Sequence, residues 1–176
     1  MNADELRAMQ APVKAHYKEN PEAALITLRA KGRLGDGLSC KVETGRAFVA
    51  AGLHPAAGGI DPQAACSGDM LLDALVACAG VTLNAVATAL EVKLRDAFIE
   101  AEGDLDFRGT LGVSKEVPVG FQKIRLQITL DTDAPEEQIA TLLRLTERYC
   151  VIFQTLNRPP EMTLTRKKPD GRPGEA

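Results

Sequence analysis

Tryptophan is absent from this 176-residue chain, and only two tyrosines and five phenylalanines are present. A core must therefore be built from aliphatic side chains and alanine. Neither sign of charge dominates: 21 basic residues face 24 acidic ones, for a formal net charge of −3. That balance gives no electrostatic reason to expect nucleic acid or an anionic membrane as a partner. No GxGxxG follows a strand pattern, and there is no Walker loop, CxxC or HExxH. The two histidines, His16 and His54, are few and far apart in sequence, so no metal and no cofactor is expected. His54, beside Pro55, reads as a solvated loop residue. The opening MNADELRAMQ lacks a basic segment followed by an apolar run, so no signal peptide is expected and the reading is cytoplasmic. In that compartment the four cysteines rest as thiols, and a disulfide would be catalytic or redox-sensing rather than structural.

What the chain does have is enough length for one domain with a sizeable core, at 45% hydrophobic residues. The expected division is an N-terminal helix over 1–21, an α+β domain over 22–166 and a flexible polar tail over 167–176. The longest apolar segment, 66–90, carries Cys66 and Cys78. Its apolar residues recur at helical spacing on every face, which predicts a buried helix. Ser67 is its expected cap, with Asp69 in the first turn. Gly80 inside it suggests close approach of another backbone. Asp73 and Asn84 argue against a membrane span.

Elsewhere, 2–19 reads as a helix broken or kinked at Pro12. Residues 22–34 and 38–43 read as a hairpin whose turn holds Gly32 and Arg33, and 46–51 as a third strand. Residues 52–65 are a loop. An irregular strand is expected over 92–107, and 121–131 gives the clearest half-buried alternation in the chain. Asp133, Pro135 and Glu136 announce a helix to about Tyr149. A short angled helix follows over 150–156, and a final strand over 161–166. This order implies an α+β fold: a curved, mostly antiparallel sheet on a buried central helix. That helix is too apolar for one sheet to cover, which predicts an obligate homodimer.

The cysteines are the remaining candidates for chemistry. A free cysteine commonly behaves as a small buried hydrophobe, and Cys40, alternating on a strand, fits that description best. Cys150 falls at a helix end, where the N-terminus of a following helix is expected to lower its pKa. Cys66 lies three helical turns, roughly 18 Å, before Cys78, too far for a bridge within one helix.

Leu71 to Cys78, followed by Val81-Thr82-Leu83, resembles the first cysteine motif of the OsmC/Ohr family, and Glu147 to Cys150 with Thr155-Leu156 resembles the second. Gly58-Gly59 before the helix is similar as well. The resemblance covers roughly 22–166. It implies an interlocked homodimer that reduces organic hydroperoxides with two cysteines. Cys78 would be peroxidatic and Cys150 resolving, with an external dithiol as reductant. Arg33 resembles the family's arginine at the thiolate, and Asp69 is nearest to the acid that orients it. The chain departs from the pattern in having Gly68 before that acid, and Val151, Ile152, Phe153 and Gln154 after Cys150. Those departures leave two alternatives open: a non-catalytic, stress-associated binding protein, or a redox sensor using Cys66.

Overall fold

In the computed structural model, which describes residues 2–20, 31–34, 39–43, 48–59, 61 and 63–166, one long helix organises the rest. This helix, α2 (Ser67–Ala89), buries Leu75, Ala79, Leu83 and Ala87 along one stripe. The spacing of four keeps these residues on one face. Each fully buried leucine contributes about 1.5–3 kcal/mol relative to exposure. By length and composition α2 could cross a membrane, but its buried stripe packs inside the protein, as in a core helix. Its start differs from expectation: Cys66 is the N-cap, without a side-chain cap bond, and Ser67 is already helical.

Before α2 come α1 (Ala3–Glu19), β1 (Lys31–Leu34), β2 (Ser39–Glu43), β3 (Phe48–Gly52) and β4 (Ala65–Cys66). The helix α1 runs through Pro12 without a break in its assignment. Of the strand expected over 22–34, residues 31–34 form β1 and 22–30 lie outside the described residues. Arg33 is not in the hairpin turn; it lies on β1, opposite Lys41 of β2. Strands β1, β2 and β3 are antiparallel neighbours, and the two-residue β4 pairs parallel to β3. Between β3 and β4 the loop holds a 3-10 turn at Pro55–Ala57. It closes tightly at Gly59, where a Cβ would fall 1.8 Å from the Leu53 carbonyl oxygen. His54 is partly exposed, stacks on Phe107 at 5.0 Å and accepts the Ala56 N–H at Nδ1.

After α2 the chain forms β5 (Asp96–Asp104), the short α3 (Phe107–Thr110) and β6 (Lys123–Asp131). Strand β5 is shorter than expected because the Asp106 carboxylate accepts the Arg108 N–H and opens a new turn. Strands β5 and β6 make a second, antiparallel sheet of two. The described strands are thus mostly antiparallel, as expected, but divided between two sheets. Alternation sends Ala97, Ile99, Ala101, Ile124, Leu126, Ile128 and Leu130 towards the core. The outer face carries Arg125 paired with Glu102 and Asp104, and Arg95 pairs with Asp131 and Asp133 beside it. Among the described residues, Gly80 meets only the Ile99 side chain, at 3.6 Å, and no second backbone approaches it. On β5, Gly103 is crowded: a Cβ there would fall 2.5 Å from the Phe121 ring.

Helices α4 (Glu136–Tyr149) and α5 (Val151–Asn157) complete the fold. Pro135 is the N-cap of α4, two residues after Asp133, which is held by Arg95 instead. Leu142 joins Leu83, Ala87 and Val92 in one core cluster; Cys150 joins Leu75 and Ala79 in the other. Residues 161–166 adopt no strand, and Met162 and Leu164 are exposed. The tail over 167–176 lies outside the described residues.

Candidate functional site

Two cysteines far apart in sequence meet where α2 packs against α5. Cys78 lies mid-way along α2 and is partly exposed. Cys150 is 1% exposed and packs with Leu75 and Ala79, and Cys78 packs against that cluster. Both are free thiols. Cys150 is placed by a break in the chain. It caps the end of α4 and the start of α5, with extended backbone at φ −71° and ψ 107°. Its carbonyl accepts the Gln154 N–H, the first bond of α5. The first amides of α5 therefore have no partner within the helix and point outward.

Those amides face Cys78. Burial pushes the Cys78 thiol up, but the Ile152 N–H, the Cys150 thiol, the Val151 N–H and the Thr82 hydroxyl all favour its anion. The net result is a pKa below the ordinary value of 9.0. For Cys150, burial dominates and pushes the thiol up. The Phe153 N–H opposes this, and the neighbouring Cys78 adds to the rise. The sequence leads one to expect that the helix N-terminus acidifies Cys150. Its Phe153 and Ile152 amides do act in that direction, but burial outweighs them, and the net lowering falls on Cys78, which the Ile152 and Val151 amides also favour as the anion. Thr82 donates to the Cys78 carbonyl oxygen at 2.7 Å.

Of the other sequence-predicted site residues, Arg33 is on β1, where its backbone but not its side chain belongs to the described structure. Asp69 is exposed in the first turn of α2. Cys66 stands at the head of the same helix, twelve residues from Cys78. The structure thus brings together Cys78 and Cys150. Sequence reasoning missed the Val151 and Ile152 amides, which no residue type reveals. It also missed a role for Thr82, although its i+4 spacing from Cys78 was the available signal.

Apolar space adjoins the pair. A cavity of about 280 Å³ lies between β6 and α5, with Leu75, Phe121, Ile124, Leu126, Phe153 and Leu156 among its walls and Lys123 at its edge. A second, of about 200 Å³, is lined by Cys150 together with Leu126, Ile128, Leu143, Thr146 and Phe153. Phe153 and Leu126 border both. Such an arrangement can hold one thiol as an anion, keep a second thiol protonated beside it, and seat an apolar group nearby.

Comparison with known proteins gives a consistent picture. Residues 60–165 match the family model described as OsmC-like protein. No curated protein matches the chain in sequence. Among solved structures, the fold is similar to an OsmC-like protein from Mycoplasma pneumoniae, with a TM-score of 0.64 at 16% identity, covering 76% of this chain and 89% of that one. An organic hydroperoxide resistance protein OsmC from Legionella pneumophila gives 0.59 at 18% identity, covering 77% and 92%. An organic hydroperoxide resistance protein from Elizabethkingia anophelis gives 0.59 at 17%, covering 77% and 91%. At these identities the structures speak for the fold, and the matched residues hold both cysteines: the chain belongs to the OsmC-like family.

Proposed function

We propose that this protein is a cytoplasmic thiol peroxidase that reduces organic hydroperoxides, with Cys78 peroxidatic and Cys150 resolving. The observation that carries the reading is the packing of Cys78 against Cys150, with the first thiol lowered and the second raised. The Cys78 thiolate attacks the distal peroxide oxygen. An S–O bond forms, the O–O bond breaks, and the alkoxide takes a proton and leaves as the alcohol, while Cys78 becomes a sulfenic acid. Cys150 then attacks that sulfur. The S–S bond forms, and the hydroxyl departs as water with the Cys150 proton. An external dithiol returns both thiols by exchange and is itself oxidised to its disulfide.

Arg33 on β1 is assigned to the thiolate, with Asp69 orienting it, on the strength of the motif resemblance. A homodimer is favoured by the outer face of α2, where Val81 is 73% exposed beside Ala74 and Ala77. A second copy would cover this face.

The test is a titration with cumene hydroperoxide. One equivalent should consume two thiols per chain and form a Cys78–Cys150 disulfide. Cys150→Ser should stop at a dimedone-trappable sulfenic acid on Cys78. A Cys78→Ser variant that consumes peroxide as fast as the parent overturns the assignment.

A further inference from the structure

We propose that Thr82 is a positioning residue for the Cys78 sulfur: its hydroxyl bonds the Cys78 carbonyl while the side chain is a thiol and turns to the sulfur when the thiol ionises. The inference deepens the reading of Cys78 as the working thiolate and rests on it for its significance.

Thr82 follows Cys78 by four residues on α2, so the two side chains lie on one face of the helix. Its Oγ1 donates to the Cys78 carbonyl oxygen at 2.7 Å. Among the described residues, three other threonines make the same backward bond: Thr88 to Asn84, Thr146 to Leu142 and Thr155 to Val151. In those three pairs the residue four back carries no ionisable side chain. At Thr82 it carries a thiol, one turn back on the same face of the helix, and the Thr82 hydroxyl favours its anion.

A hydroxyl has one proton and can serve one acceptor at a time. A neutral thiol is a weak acceptor, so the carbonyl takes the bond. A thiolate is a full charge and a stronger acceptor, since hydrogen bonds to ionised groups are roughly twice as strong as neutral ones. The exchange requires rotation about χ1, and Thr has two accessible rotamers in a helix, one of which holds its hydroxyl on the carbonyl of the preceding turn. The carbonyl is not orphaned by the exchange, because within α2 it also accepts the backbone N–H of Thr82. No proton is transferred and no covalent bond is made or broken.

The experiment follows iodoacetamide alkylation of Cys78 against pH, read peptide by peptide in the full chain. Thr82→Val keeps the shape and removes the hydroxyl. It should move the Cys78 curve to higher pH and slow alkylation on the low-pH limb by about three- to tenfold. The high-pH plateau should stay unchanged. Thr82→Ser should follow the parent. If Thr82→Val does not fold, Thr82→Ala, which suits an alanine-rich helix, takes its place. Superimposable curves for parent and hydroxyl-free variant overturn the proposal, as does a Ser variant that shifts like Val. Alkylation reports ionisation and not turnover, so the shift expected for Thr82→Val would be seen even in a protein without peroxidase activity.

Discussion

Cys78 and Cys150 pack in one cluster between α2 and α5, and their proximity acts on them in opposite directions, lowering the first thiol and raising the second. The Cys150 S–H is the donor available to a Cys78 anion, and that anion in turn disfavours ionisation of Cys150. The pH dependence of alkylation should show this asymmetry. The lowered group is ionised over part of the range below 9.0, where the raised one still holds its proton. In peptide-resolved alkylation across a range of pH around that value, the Cys78 midpoint is expected below 9.0 and the Cys150 midpoint above it. Cys150→Ala removes the donor and should shift the Cys78 midpoint upward. Equal midpoints in the parent would contradict the arrangement.

The backbone donors can be tested one at a time. Val151 is the first residue of α5, a position that tolerates proline because its N–H has no partner inside the helix. Val151→Pro deletes that N–H. It is expected to raise the Cys78 midpoint and slow its alkylation near neutral pH about two- to fivefold, with the far-ultraviolet circular dichroism unchanged. Val151→Ala should leave the midpoint where it is.

Gly103 on β5 leaves room for the Phe121 ring that borders the larger cavity. Gly103→Ala should destabilise the protein by about 1–3 kcal/mol through overpacking. In a Phe121→Leu background the same change should cost less, giving a coupling energy in a double-mutant cycle by urea unfolding. Strict additivity would show that the ring moves aside freely.

A charge on the outer face of α2 should break self-association. Val81→Lys is expected to lower the mass in sedimentation velocity from two chains to one, while a Lys at the already exposed Val113 leaves it unchanged. A parent that sediments as a monomer at all concentrations would remove the homodimer from the proposal.

Much of this was readable from residue patterns. The alternation of Ile124, Leu126, Ile128 and Leu130 marked out β6, because one buried face imposes a period of two. The apolar run around Cys78 marked out α2, and the family's two cysteine motifs singled out the pair. What the residues alone could not reveal depends on context. Glu161 to Arg166 alternates like a strand, yet a strand needs an edge to pair with. Asp133 looked like a cap because nothing local announced Arg95, 38 positions earlier. The donors to Cys78 are main-chain groups, present at nearly every position, and only the bend at Cys150 aims them. The close approach expected at Gly80 is not found there, while Gly103 is crowded by Phe121, because the space around a glycine is a property of its neighbours.

The rung between β3 and β4 is only two residues long, Ala51 to Ala65 and Gly52 to Cys66, and α2 begins at the next position. Through it the sheet that carries Arg33 is fastened to the helix that carries Cys78. The sulfur pair is built from α2 and α5 and does not depend on that fastening. Loosening the rung, by lengthening the loop at Gly59 for instance, would leave the sulfurs in register with each other while the arginine strand lost its mooring.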